Sequence, residues 1–316
     1  MNKLLEVDHL DKFFKINGGI HKAVNHVSFC IYEGETLGIV GESGCGKTTC
    51  GRTCIGIYEK SGGSVTYRGE EVSELRKRSN LNFSKKVQCI FQDPFSSLDP
   101  RMKIGETIAE GLDLHGIGKN KAEQREIVGE LLSKVGLKVE YADRYPHEFS
   151  GGQRQRIGII RALSIEPEFV FCDEPLSALD ISIQAQIMNL LLDLQAERHM
   201  TYMFVSHDIS MVRHISDRIA VFFMGRIVEL AETEEICKKP LHPYTKALLS
   251  SLPCTDPVKE RKRKRIILPE EIYDNGYLKR GCPFKNQCSY VIEKCEDFDC
   301  ELQNVGNEHM VACCCI

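Results

Sequence analysis

The stretch TLGIVGESGCGKTT, residues 36–49, decides how this chain is read. Its first five residues make an apolar run of strand length that ends at the first glycine of a loop. Gly41, Gly44 and Gly46 allow backbone N–H groups to turn inward, and the helix that follows presents its N-terminus to the same charge. From Gly41 to Thr48 the pattern G-x-x-x-x-G-K-[ST] is complete, so the loop, Ser43 included, is expected to cradle phosphate oxygens. Lys47 is expected to reach the β and γ phosphates, Thr48 to offer its hydroxyl to Mg²⁺, and Thr49 to add a further phosphate contact. The plainer alternative is a glycine-rich turn before an ordinary helix; the strand, the lysine and the paired threonines weigh against it.

Downstream, FVFCDEP at 169–175 runs four apolar residues into two carboxylates. A buried parallel strand ending there carries Asp173 and Glu174 to the crevice where doubly wound sheets bind ligands. Asp173 suits the Mg²⁺ shell, and Glu174 suits a general base that polarises a water attacking the γ-phosphate. Gln92 follows the apolar VQCIF, where it can reach both the γ-phosphate and Mg²⁺. His207 follows TYMFV, where its imidazole can hydrogen-bond the γ-phosphate.

Apolar runs of four or five residues alternate with helical patterns from Gln153 onward, which predicts an α/β fold with a parallel sheet covered on both faces. The first 35 residues read as strands, and SVTYRGEEV adds another candidate. IGETIAEGLDL and KAEQREIVGELLSKVGL place Ile104, Ile108 and Leu112, then Ile127, Leu131 and Val135, at helical spacing. They form a helical insertion over about 93–150. Residues 253–281, with the charge run KERKRKR at 259–265, read as a solvated linker, with contact to anionic lipid as the alternative.

A net charge of −4 points to no broad basic surface of the kind nucleic-acid binding usually requires, so no nucleic-acid partner is expected. The N-terminus MNKLLEVDHLDKFF has no uninterrupted apolar core, so neither a signal peptide nor an anchor is expected and the chain is placed in the cytosol. No stretch approaches the roughly 20 apolar residues that span a bilayer. Scattered cysteines such as Cys30, Cys89 and Cys172 lie within apolar runs and are expected to be buried small hydrophobes.

Phe149-Ser150-Gly151-Gly152-Gln153, followed by RQRIGIIRAL, resembles the signature motif of ATP-binding cassette (ABC) ATPases. Ser150 and the glycine amides stand where a helix begins, so hydroxyl, N–H groups and helix dipole can face an anion. The resemblance covers residues 1 to about 255. It implies a RecA-like P-loop core, a doubly wound parallel sheet with an antiparallel β subdomain and a helical subdomain, as domain 1–252. It also implies that two chains clamp ATP head to tail, each γ-phosphate between one chain's loop and the other's SGGQ. Ser177-Ala178-Leu179-Asp180 resembles the D-loop that crosses such a dimer, and Phe14 resembles the aromatic that stacks on adenine, with Phe13 adjacent as its competitor. Phe149 replaces the family's usual leucine and Thr48 its commoner serine; neither departure puts hydrolysis in doubt.

PLHPYTKALLSSLP at 240–253 and FQDPFSSLDPRMKIGETI resemble the F-type ATPase subunit of oligopeptide and dipeptide importers. That implies a D-type ATPase partner, two membrane permease subunits, an extracellular binding protein and a seat at the cytoplasmic face of the cell membrane. Nickel, glutathione and oligosaccharide importers are the alternatives within the family, and a soluble ABC-type ATPase acting on nucleic acid or ribosomes is the alternative outside it. Exposed apolar residues between Pro94 and Leu114 are the expected permease contacts. In a small extension, 253–316, Cys282, Cys288, Cys295 and Cys313 resemble the family's cysteine set associated with a [4Fe-4S] cluster. The five- and six-residue spacings are wider than those of zinc ligands. Zn²⁺ or unliganded thiols are the alternatives, and Cys300, Cys314 and Cys315 compete for the fourth position.

Overall fold

A computed structural model describes residues 2–16, 19–93, 97–177, 179–252, 261, 265–268 and 281–316. Along the chain come β1 (Lys3–Ile16), β2 (Gly19–Tyr32), β3 (Thr36–Val40), α1 (Lys47–Cys54), β4 (Gly62–Tyr67), β5 (Glu70–Glu71), α2 (Val72–Lys86) and β6 (Val87–Ile90). Then follow α3 (Ile104–Leu114), α4 (Lys121–Lys134), α5 (Gly151–Leu163), β7 (Phe169–Asp173), α6 (Ile181–Arg198), β8 (Thr201–Ser206), α7 (Ile209–Ile215) and β9 (Arg218–Phe223). Last are β10 (Arg226–Glu232), α8 (Thr233–Lys238), α9 (Pro243–Ser250), β11 (Gln303–Asn304) and β12 (Met310–Val311). Two compact units result: Met1–Asn2, Tyr32–Glu35 and Glu74–Phe204 in the first, Lys3–Ile31, Thr36–Ser73 and Val205–Ile316 in the second.

In the second unit, β2-β1-β4-β5 form an antiparallel sheet, with Leu5 opposite Tyr67 and Val7 opposite Val65. Its buried face carries Val27, Phe29 and Ile31 of β2 at the spacing of a half-buried strand, and the phase shifts at His26 (φ 58°) so that Ala23 and Val24 are both buried before it. β3 pairs in parallel with β9, and every residue of β3 is buried. β9 turns back into β10 through Met224 and Gly225, both at positive φ (44° and 77°), the backbone that a two-residue hairpin demands. β12 then pairs antiparallel with β10, and β11 with β12, so the C-terminal residues extend this sheet.

β10 was not legible in the sequence because Glu229 interrupts it, yet that carboxylate is fully buried. It accepts the N–H of Leu241 (2.8 Å) and of His242 (2.9 Å) and lies 2.7 Å from His309 Nε2. A buried carboxylate with three partners is satisfied, so the strand tolerates it.

In the first unit, β6 pairs in parallel with β7; α3 and α4 lie within residues 93–150, where a helical insertion was expected, and α5 follows them. Ile104, Ile108 and Leu112 are all buried, as their spacing predicts. In α4 the buried stripe is Val128 and Leu132, continued by Val135, rather than Ile127 and Leu131. Gly129 lets Val139 approach, and Gln124 is drawn inward by bonds to Asp113 and the Ile117 carbonyl, which rotates the helix. Ile127 and Leu131 instead line a cavity of about 140 Å³ with Ile160, Leu163 and Leu194. The α/β reading with a parallel core and antiparallel strands therefore holds.

Between residues 97 and 114, Leu98, Ile104, Ile108 and Leu112 are buried and Leu114 is exposed. Exposed apolar surface in that segment therefore narrows to Leu114 and half-buried Met102; Pro94–Ser96 lie outside the described residues, as does most of KERKRKR. Cys89 and Cys172 are buried as expected, whereas Cys30 is only half-buried, on a β2 face shared with partly exposed neighbours.

Candidate active site

The phosphate loop belongs to the second unit. Gly46 has φ +108°, and a Cβ there would meet the Ala23 carbonyl at 2.1 Å; a Cβ on Gly41 would meet the Phe222 carbonyl equally closely, at 2.1 Å. Both glycines are thus dictated by the packing of the loop against β2 and β9. Lys47 is 4% exposed, and its ammonium donates to the carbonyls of Gly41 and Glu42, 2.7 Å each. α1 begins at Lys47 with neither a side-chain cap nor an acidic residue in its first turn, so its N-terminal amides and dipole stay available to an anion. Thr48 and Thr49 are half-buried at that turn, and Ser43 and Gly44 are exposed. Burial pushes the Cys45 thiol up, partly offset by Lys47.

Phe14, half-buried on β1, packs edge to face on Tyr58 (5.8 Å), with Lys12 Nζ 4.9 Å from its ring centre. His207 is exposed just beyond β8, in a turn that Ser206 and Asp208 tighten: Asp208 N–H donates to Ser206 Oγ, and the Asp208 carboxylate caps α7.

The carboxylates belong to the first unit. Asp173 ends β7 and is fully buried; Glu174 follows at φ +45°. A non-glycine residue in left-handed backbone costs about 1–3 kcal/mol and recurs where a site needs a side chain re-aimed. Here it turns Glu174 so that Gln92 Nε2 donates to its Oε2 at 3.0 Å. Sequence reasoning placed these two residues at the same phosphate, and the structure brings them together.

Ser150 caps α5. Its Oγ accepts the Gln153 N–H at 3.3 Å, and Gln153 Oε1 accepts the Ser150 N–H at 3.0 Å, a reciprocal capping box. The hydroxyl accepts through a lone pair, so its proton remains a donor. A Cβ on Gly151 would meet nothing within 4 Å, so the face of the helix tip is open there. Asp180 caps α6 through the Ile183 N–H, and Ile181 beside it is 84% exposed.

Gln155 was not anticipated. Buried at 2% exposure, it donates from Nε2 to the Phe91 carbonyl (3.2 Å) and the Pro175 carbonyl (2.9 Å). These are the residues just before Gln92 and just after Glu174. Its only sequence signal is a polar residue on the buried side of an amphipathic helix.

In the C-terminal module the sulfurs of Cys295, Cys314 and Cys315 lie within 4.8 Å of one another. Cys295 is the one residue of the expected set of four in this triad. Cys282 hydrogen-bonds Cys300, which holds the Cys282 thiol up and brings Cys300 down. Burial pushes Cys288 up, with further contributions from Cys282 and Cys295. A cluster of soft sulfur donors this dense fits a thiophilic metal.

The phosphate loop and the reciprocally capped SGGQ helix are the two motifs whose resemblance implies a P-loop protein of the cassette type, and both are formed in this chain. Residues 24–177 match the family model described as ABC transporter, and residues 228–295 that described as oligopeptide/dipeptide transporter, C-terminal region. The chain belongs to the ABC transporter family and is an ATPase. It is 56% identical over 264 residues to the oligopeptide transport ATP-binding protein OppF of Bacillus subtilis, covering 83% of this chain and 87% of that one. It is 51% identical over 268 residues to the dipeptide transport ATP-binding protein DppF of Lactococcus lactis, 84% and 86% of the two chains. A solved dimeric cassette in a post-hydrolysis state, bound to ADP and Pi, superimposes with TM-score 0.67 at 28% identity, covering 73% of this chain and 99% of that one.

Proposed function

We propose that this chain is the ATP-hydrolysing subunit of an importer of oligopeptides or dipeptides. The observation that carries the reading is one chain holding both a complete phosphate loop and a C-terminal region of the peptide-transporter type. Residues 1–252 form the ATP-binding domain and 253–316 the extension. The subunit sits at the cytoplasmic face of the membrane, where it joins a D-type ATPase, two permease subunits and, across the membrane, a substrate-binding protein. Among the described residues no helix is long and apolar enough to cross a membrane, so partner chains form the pore.

Phe14 stacks on adenine, and the amides and side chains of Gly41, Ser43, Gly44, Gly46 and Thr49 bind the phosphates. Lys47 keeps the Gly41 carbonyl on one of its three N–H donors and turns the others to β- and γ-phosphate oxygens. Thr48, Asp173 and Gln92 would hold Mg²⁺, and the ion would supply neutralisation of the charge on the transferring phosphoryl group. Glu174, aimed by its backbone and by Gln92, takes the proton of the attacking water, and His207 donates to the γ-phosphate. Ser150, Gly151, Gly152 and Gln153 of one chain meet the γ-phosphate held by its partner, with Asp180 crossing the interface.

The extension carries a metal centre. The resemblance to the family's cysteine set implies a [4Fe-4S] cluster that Cys282, Cys288, Cys295 and Cys313 would hold and that would supply a redox-active cross-link. The sulfur triad points to a second reading, a single thiophilic ion such as Zn²⁺, because three soft donors stand close enough together to share one ion. Iron with acid-labile sulfide in anaerobically purified protein separates the two.

The function is tested with Glu174→Gln in the assembled transporter. Hydrolysis is expected to fall by about 10² to 10⁴ and peptide uptake with it, while ATP still binds. Uptake at the parent rate, or a chain that assembles with no permease subunit, refutes the reading.

A further inference from the structure

We propose that Tyr244 is a positioning residue for the phosphate loop, and that Phe284 of the Cys-rich module holds it in place. The inference rests on the reading of residues 41–49 as the ATP phosphate site.

The peptide group that joins Gly41 to Glu42 is a rigid plane. At one end its carbonyl, that of Gly41, accepts from Lys47 Nζ at 2.7 Å. At the other its N–H, that of Glu42, donates to the Tyr244 phenol oxygen at 3.1 Å. The plane is therefore held from both sides, and the side remote from the lysine is held by a residue 202 positions away. Rotation of that plane would break the Tyr244 bond and take one of the two carbonyls off Lys47. Tyr244 thus fixes the orientation of the first peptide of the loop and, through it, the place of the lysine that meets phosphate.

The phenol is itself held rigidly. Tyr244 is fully buried in the first turn of α9, where its N–H donates to His242 Nδ1 at 3.1 Å. Leu241 and His242 are in turn fixed by the buried Glu229 carboxylate. Its ring packs against Phe223, the last residue of β9, at 4.6 Å, and against Phe284 at 5.7 Å; Phe284 meets Phe223 edge to face at 5.4 Å. Phe284 is 1% exposed and stands between Cys282 and Cys288. The module thus contributes the third ring of a closed aromatic triangle, and that triangle bears directly on the loop.

The test uses the full-length chain, with ATP affinity, steady-state hydrolysis in the assembled transporter, and melting temperature as readouts. Tyr244→Phe keeps the ring and removes the acceptor. It is expected to weaken ATP binding and raise the ATP KM by about three- to tenfold, the range for loss of one hydrogen bond, with kcat and melting temperature unchanged. Phe284→Ala is expected to weaken ATP binding in the same direction, and the double variant to bind no more weakly than the weaker single one, because both act through one contact. Tyr244→Phe binding ATP within twofold of the parent, while Lys47→Ala abolishes binding, overturns the positioning role. Additive losses in the double variant overturn the part given to Phe284. Lys47→Ala binding ATP as the parent does overturns the phosphate-site reading, and this inference with it. Should Tyr244→Phe fail to fold, hydrogen exchange on the unsubstituted chain decides: a slowly exchanging Glu42 amide supports the bond, and exchange at the rate of an open loop overturns it.

Discussion

His242 is a histidine whose role depends on staying neutral. It is 1% exposed, and its Nδ1 accepts the Tyr244 N–H as the cap of α9. Burial, with Lys246 adding to it, pushes its imidazole down to about 4. The unfolded chain therefore binds a proton that the folded one refuses between roughly pH 6.5 and 4, and stability falls as pH drops through that window. The loss is expected to be on the order of 3 kcal/mol, complete near pH 4 and absent above about 7. Melting curves across this range check it, with His242→Asn, which keeps a capping acceptor and cannot titrate, giving a flatter profile. The histidine shows how legibility divides at this scale. Lys47, Asp173 and Glu174 were readable because their chemistry is local to a strand end. His242, Tyr244 and Glu229 were not, because their partners come from distant segments and no spacing announces a contact across 202 residues.

α5 begins at Ser150 with a tip open to an anion, and one turn later places Gln155 on two carbonyls. The helix that carries the SGGQ tip is thereby tied to the residues flanking Gln92 and Glu174. Gln155→Leu leaves those carbonyls without their donor, at a cost of about 1–3 kcal/mol in stability. It is expected to lower kcat more than it raises the ATP KM, since the Gln92–Glu174 pair loses its support. Denaturant unfolding and steady-state ATPase measurements on the assembled transporter check the two parts separately. Helices and strands themselves were largely visible in advance: β3, α3 and β7 fall where their apolar runs predict. α4 was assigned correctly as a helix but with the wrong stripe, because at a 3.6 period two adjacent apolar stripes are equivalent until a neighbour, here Val139 against Gly129, selects one.

For the whole molecule, the sequence reads as a core and an extension, and residues 281–316 of that extension fall within the same compact unit as the phosphate loop. The strands that achieve this are two residues long, too short to register in any pattern. β12 sets Met310 against Leu230 and Val311 against Glu229, and the Ala312 N–H donates to the Val228 carbonyl at 2.9 Å. Cut the chain before Gly281 and the outer ladder of β10 becomes a bare selvedge of unpaired amides and carbonyls flanked by apolar side chains. Such a truncated chain is expected to stick to its own copies in a concentration-dependent way, visible by light scattering, where the intact chain does not. The tail is then a hem as much as a cysteine-rich appendage, and any damage that unravels it threatens solubility along with catalysis.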